Sequence, residues 1–145
     1  MAIGATGFPN PAPRDLCPVC GMVVSKYPNW LAGVRYADGH AHYFDGAKDL
    51  FKYLADPSRY ARGHRASDII EIVVTEYYDL KRIDARRAQY VLGSDVHGPM
   101  GHELIPFATR ADAEEFMRDH GGTRIVTFGS VTPQLIERLD HGQAR

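Results

Sequence analysis

One order of elements occurs twice along the chain, and this restricts the fold more than any single motif. Leu31 to Ala37 reads as a strand, Asp38-Gly39 as a two-residue hairpin turn, and His40 to Phe44 as the return strand. Asp45 stands where an N-cap is expected. Ala47, Leu50, Phe51 and Leu54 then fall on one face of a helix over Gly46 to Ala55, which Asp56-Pro57 ends. A loop with Gly63 follows, and Ile69 to Tyr77 has the Ile/Val content of a buried strand. Beyond the charged stretch Asp79 to Arg87 the order returns. Gln89 to Leu92 is a strand, Ser94 to Gly101 a Gly/Pro loop, and His102 to Phe107 a second strand. Thr109 with Asp112 resembles a capping box for a helix bearing Ala113, Phe116 and Met117. Gly121-Gly122 closes that helix, and Thr123 to Phe128 follows as a strand. Thr132-Pro133 opens a last helix with Leu135, Ile136 and Leu139 on its apolar side. The expectation is an α+β fold of two related ββαβ halves, 17–78 and 88–141, joined by a short charged linker, with a closing C-terminal helix.

Residues 1–16 precede these halves. Pro9, Pro11 and Pro13 predict an extended, disordered arm, and the stretch lacks the basic-then-apolar layout of a signal peptide. The charge balance narrows the function. With 17 basic against 18 acidic residues in 145, no basic excess points to nucleic acid. Lys81, Arg82, Arg86 and Arg87 are interrupted by Asp84 and read as a solvated linker. No apolar run is long enough to span a membrane, and two cysteines make no disulfide scaffold. No nucleophile–base set and no phosphate-cradling Gly-rich loop stand out, so the chain reads as a binding protein and not an enzyme.

Chemistry concentrates at Cys17-Pro18-Val19-Cys20-Gly21-Met22. The C-x-x-C spacing lets two sulfurs face one metal, with Gly21 allowing the tight turn; the plain alternative is two small buried hydrophobes. A dithiol redox site fits poorly, because Pro-rich chain precedes the motif and Val23-Val24 follow it, where a helix N-terminus is needed to lower a thiol pKa. A zinc site needs more ligands. His40 and His42 lie two apart, share a face if they are on a strand, and complete a Cys17, Cys20, His40, His42 set. Against it, H-x-H is tighter than finger spacing, and two half-exposed histidines beside a hairpin are commonplace. A Cu(I) site prefers sulfur. Met22 lies two residues from Cys20, and Gly98-Pro99-Met100-Gly101-His102 offers a methionine in an unusual Gly/Pro setting. Cys20, Met22, Met100 and His102 together would join the two halves; equally, Met100 packs against the hairpin. Asp45 is expected as a helix cap and Asp49 as helix surface. His64, His97 and His141 read as solvated, and His120 as a helix C-terminal residue.

Several motifs in order resemble one family. Cys17-Pro18-Val19-Cys20-Gly21-Met22, Tyr36-Ala37-Asp38-Gly39, Phe44-Asp45-Gly46-Ala47-Lys48-Asp49, the stretch from Gly93 through Gly98-Pro99-Met100-Gly101-His102-Glu103 to Phe107, and His120-Gly121-Gly122 are similar to NosL proteins. These are copper-binding accessory proteins of nitrous oxide reductase. The resemblance implies a periplasmic Cu(I) metallochaperone with Cys20, Met22 and Met100 as ligands, His102 as an addition and Cys17 as a reserve thiol. It also implies nitrous oxide reductase and its ABC-type assembly complex as partners. Family members are typically lipoproteins of the outer or inner membrane, so membrane contact is expected only through a lipid anchor that this sequence does not show.

Overall fold

The computed structural model describes residues 8, 10–60, 66–99 and 101–140. After two short 3-10 turns at Val24–Lys26 and Pro28–Trp30 come strands β1 (Ala32–Tyr36) and β2 (Ala41–Phe44), then helices α1 (Ala47–Ala55) and α2 (Pro57–Tyr60). Strands β3 (Ile69–Thr75), β4 (Arg82–Asp84), β5 (Gln89–Leu92) and β6 (Ile105–Phe107) follow. Helix α3 (Arg110–Asp119), strand β7 (Arg124–Thr127) and helix α4 (Pro133–Asp140) complete the order. The fold is α+β: one antiparallel sheet runs β2-β1-β3-β4, and a second runs β6-β5-β7.

Local signals explain most of these elements. The β1–β2 hairpin turns at Asp38-Gly39, where Gly39 has φ +94° and Tyr36 N–H meets His40 O at 2.8 Å. Helix α3 starts where Thr109 Oγ1 accepts the Asp112 N–H at 3.1 Å, and α4 starts where Thr132 Oγ1 accepts that of Leu135 at 3.1 Å. Helix α1 presents Leu50, Phe51 and Tyr53 to the core. Each such side chain, once buried, contributes on the order of 1.5–3 kcal/mol.

Between the sheets the core is continuous. One cluster joins Val34, Phe44, Leu50 and Val73 to Tyr90, Leu92, Val126 and Leu135. The Phe51 ring lies 5.4 Å from Tyr90 and 5.3 Å from Phe128. A smaller cluster under α3 holds Val91, Ile105, Phe107, Ala113 and Phe116. The main chain also crosses the seam, with Tyr77 N–H donating to Pro106 O at 3.0 Å.

Some expectations change. The stretch 79–87 is not plain linker: Arg82–Asp84 pairs with β3 and buries Ile83, a strand too short to show periodicity. The strand expected from His102 begins only at Ile105, because 102–104 carry a turn onto α1. Pro57, expected only to end a helix, also opens α2. Phe8, inside the expected arm, is 7% exposed and sits edge-on to Tyr43 at 5.7 Å. Residues 1–7 and 9, like Gly63, His64 and His141, lie outside the described residues.

Candidate metal centre

The Cys17–Met22 segment folds as a knuckle. Leu16 and Val23 pair as an antiparallel bridge, Cys17 N–H donates to Met22 O at 2.9 Å, and Gly21 N–H donates to Cys17 O at 2.8 Å. Gly21 takes φ +78°, and a Cβ there would meet open space. Backbone conformation, not crowding, therefore calls for glycine. The turn carries both cysteines, which are free thiols, toward the start of α1.

There they meet two carboxyls. Cys20 Sγ donates to Asp45 Oδ2 at 3.2 Å, and Cys17 Sγ lies 3.6 Å from Asp49 Oδ2. One donor atom from each of Cys17, Cys20, Asp45 and Asp49 lies within 4.8 Å of the other three. Asp45 and Asp49 are 1% and 2% exposed, Cys17 1%, while Cys20 is half-buried. Asp45 is therefore not the helix cap, and Asp49 is not helix surface. The N-cap is Gly46, and both acids turn inward from positions four residues apart on one helical face. That spacing was the available signal; the habit of Asp before helices concealed it.

Burial in this cluster favours the protonated forms of Cys17, Cys20 and Asp49. Burial pushes the Cys17 thiol up to about 11 and the Cys20 thiol further above its ordinary range. Burial also raises Asp49 to about 6, with the neighbouring Asp45 carboxyl adding to the effect. Asp45 Oδ1 is buried and receives no hydrogen bond from the described residues. Such a pocket is poised to exchange protons for a cation, and its mixed sulfur and oxygen donors suit a tetrahedral metal.

The other sequence candidates sit as follows. His40 is exposed and pairs with Asp38 at 2.9 Å; His42 packs its ring 5.4 Å from Tyr36; neither belongs to the four-residue cluster. Met22 is half-buried beside Cys20 in the knuckle. His102 is half-buried, its ring edge-on to His97 at 4.6 Å. Met100 lies outside the described residues, between Gly98 and Gly101, which pair as an antiparallel bridge. His120 closes α3, bonding Asp95 at 2.8 Å. The sequence reading missed Glu103. This residue is 5% exposed, burial raises its carboxyl to about 8, and its Oε1 accepts the Lys48 N–H of α1 at 2.6 Å.

Fold and cluster together define a small α+β protein with a buried thiol–carboxyl centre where a loop knuckle meets a helix N-terminus. The NosL family model matches residues 10–136, and the chain belongs to the NosL family. It is 29% identical over 132 residues to "Copper-binding lipoprotein NosL" of Stutzerimonas stutzeri, spanning 88% of this chain and 69% of that protein. Its structure is similar to that of the copper chaperone NosL from Shewanella denitrificans, with TM-score 0.70 and 26% identity over 88% of this chain and 96% of that one. It shares its fold with the apo-NosL protein of Achromobacter cycloclastes, with TM-score 0.50 and 23% identity over 72% and 87% of the two chains.

Proposed function

We propose that this protein is a Cu(I) metallochaperone that supplies copper for the maturation of nitrous oxide reductase, working with an ABC-type assembly complex. The observation that carries the reading is the meeting of both thiols of the CPVCGM motif at one partly exposed site. Cys20 and Met22 offer the soft sulfur that Cu(I) prefers, Met100 and His102 complete the set from the second motif, and Cys17 is the deeper thiol. A carrier must bind tightly and still release its metal by ligand exchange, which an open site of few soft ligands allows. The names of its relatives support copper as the cargo, and the lipoprotein relative supports a periplasmic, lipid-anchored full-length form.

A second reading has its own observation. Asp45 and Asp49 are hard donors that Cu(I) does not favour, and with Cys17 and Cys20 they make a four-ligand set suited to Zn2+. This replaces the histidine-based set expected from sequence. Anaerobic Cu(I) titration of the reduced apo-protein against a chromogenic chelator, with and without Zn2+, tests both readings. Tight stoichiometric Cu(I) binding that Cys20→Ala abolishes supports the carrier. Equal binding by wild type and variant removes it. Retention of Zn2+ alone leaves the zinc centre as the function.

A further inference from the structure

Helix α1 begins without a cap of its own. Its N-cap is Gly46, and no side chain of the helix start accepts a hydrogen bond there, although the first turn is buried. An uncapped N–H in that position leaves a buried donor orphaned. The acceptor comes from 55 residues away: Glu103 Oε1 takes the Lys48 N–H at 2.6 Å and also the Leu104 N–H at 2.9 Å. Two glycines leave room for it. A Cβ on Gly46 would overlap Glu103 Oε2, and one on Gly98 would stand 3.3 Å from both Cγ and Oε2. One carboxyl group is therefore packed among the first turn of α1, the 98–101 bridge and the approach to β6. The helix turn it grips lies between Asp45 and Asp49, and the loop it belongs to carries the second motif.

We propose that Glu103 is a positioning residue that ties His102 and the approach to β6 to the start of α1, the helix whose beginning carries Asp45 and Asp49 of the thiol–carboxyl cluster. The metal-binding consequence rests on the function proposed above; the lock itself does not. Without the carboxyl, the 101–104 turn separates from the helix and His102 loses its register with the start of α1, although no ligand has been removed. Loss of a partner that orients ligands costs roughly ten- to a hundredfold in metal affinity.

The test uses Glu103→Ala, Glu103→Gln and Gly46→Ala in the whole chain. Amide exchange of the apo-proteins reads the lock without any metal. Faster exchange at Lys48 and Leu104 in Glu103→Ala, with Glu103→Gln restored because its amide oxygen still accepts both N–H groups, supports it. Unchanged exchange at these two amides overturns it, whether or not the protein binds copper. Cu(I) competition well below each variant's melting temperature reads the consequence. The expected result is a ten- to hundredfold loss in Glu103→Ala and Gly46→Ala, with changed thiolate–Cu(I) absorption and recovery in Glu103→Gln. Affinity and absorption equal to wild type in a Glu103→Ala protein that is folded but has a lowered melting temperature would reduce Glu103 to a stabilising residue and overturn the positioning role. Failure of the wild type itself to bind Cu(I) refutes the proposed function and leaves the exchange result to decide the lock.

Discussion

Metal binding by this protein should be steeply coupled to protons. Burial keeps both thiols protonated through the neutral range, with Cys17 at about 11 and Cys20 higher still. A metal binds the thiolate, so each sulfur that enters coordination gives up one proton. One proton released per site makes apparent affinity rise tenfold per pH unit, about 1.4 kcal/mol; two make it hundredfold, about 2.7 kcal/mol. Because the two sulfurs share one cluster, the expected slope for Cu(I) between pH 7 and 9 is close to two. Methionine carries no proton and leaves the slope unchanged. The assay is anaerobic competition with a chelator whose Cu(I) affinity is constant across the window, repeated for Cys17→Ala, where the slope should fall to one. A slope of one in the wild type would confine binding to a single thiol. An affinity independent of pH would refute the argument, since the sulfurs would already be thiolates and the burial effect would be wrong.

Three further outcomes follow from other parts of the molecule. Asp49→Asn should weaken Zn2+ binding by roughly ten- to a hundredfold while moving Cu(I) affinity little, because only the harder ion uses the carboxylate; a chelator titration with each metal checks this. Apo-protein stability should fall as pH rises from about 5 to 8. Glu103 goes from 4.5 to about 8 and Asp49 from 3.8 to about 6, so the folded state holds more protons than the unfolded one in that window. Urea midpoints at pH 5.5 and 8 read the fall, and Glu103→Gln should flatten its upper part. Gly33→Ala should displace Phe8, because the added Cβ would stand 2.8 and 2.9 Å from the ring; losing the buried Phe costs roughly 1.5–3 kcal/mol, and in a Phe8→Ala background thermal melts should show a smaller cost, left by the 3.3 Å approach to His42 O.

What was legible in the sequence is what short-range chemistry decides. The Asp38-Gly39 turn, the Thr109 cap and the apolar face of α1 each announce themselves within a few residues, and each stands where it was expected. The α+β class followed from them. What was not legible depends on distant partners. Strand β4 exists because an edge of β3 was open, and three charged-flanked residues carry no period that could reveal it. Asp45 and Asp49 looked like a cap and a surface acid because nothing local shows that a knuckle 25 residues upstream would close over them. Glu103 lies inside the NosL-like second motif, but nothing marked its role: it accepts from the backbone amides of Lys48 and Leu104, and such pairings are invisible in a sequence. Tyr36 and Tyr53, whose hydroxyls bond to each other in the core, belong to the same class of long-range pairings.

The unequal depth of the two cysteines gives the centre a doorway. Cys17 is sealed in the core, while Cys20 stands half-open on the rim of the knuckle, where Leu16 leaves an apolar side chain 55% exposed. An incoming thiol or thioether therefore meets Cys20 before Cys17. On the carrier function proposed above it would displace Cys20 before Cys17, so departure of the metal would follow a fixed order. In kinetic terms such a carrier would have a threshold as well as an affinity: a recipient that could not reach past the rim would capture little, however strongly it binds once it has the ion.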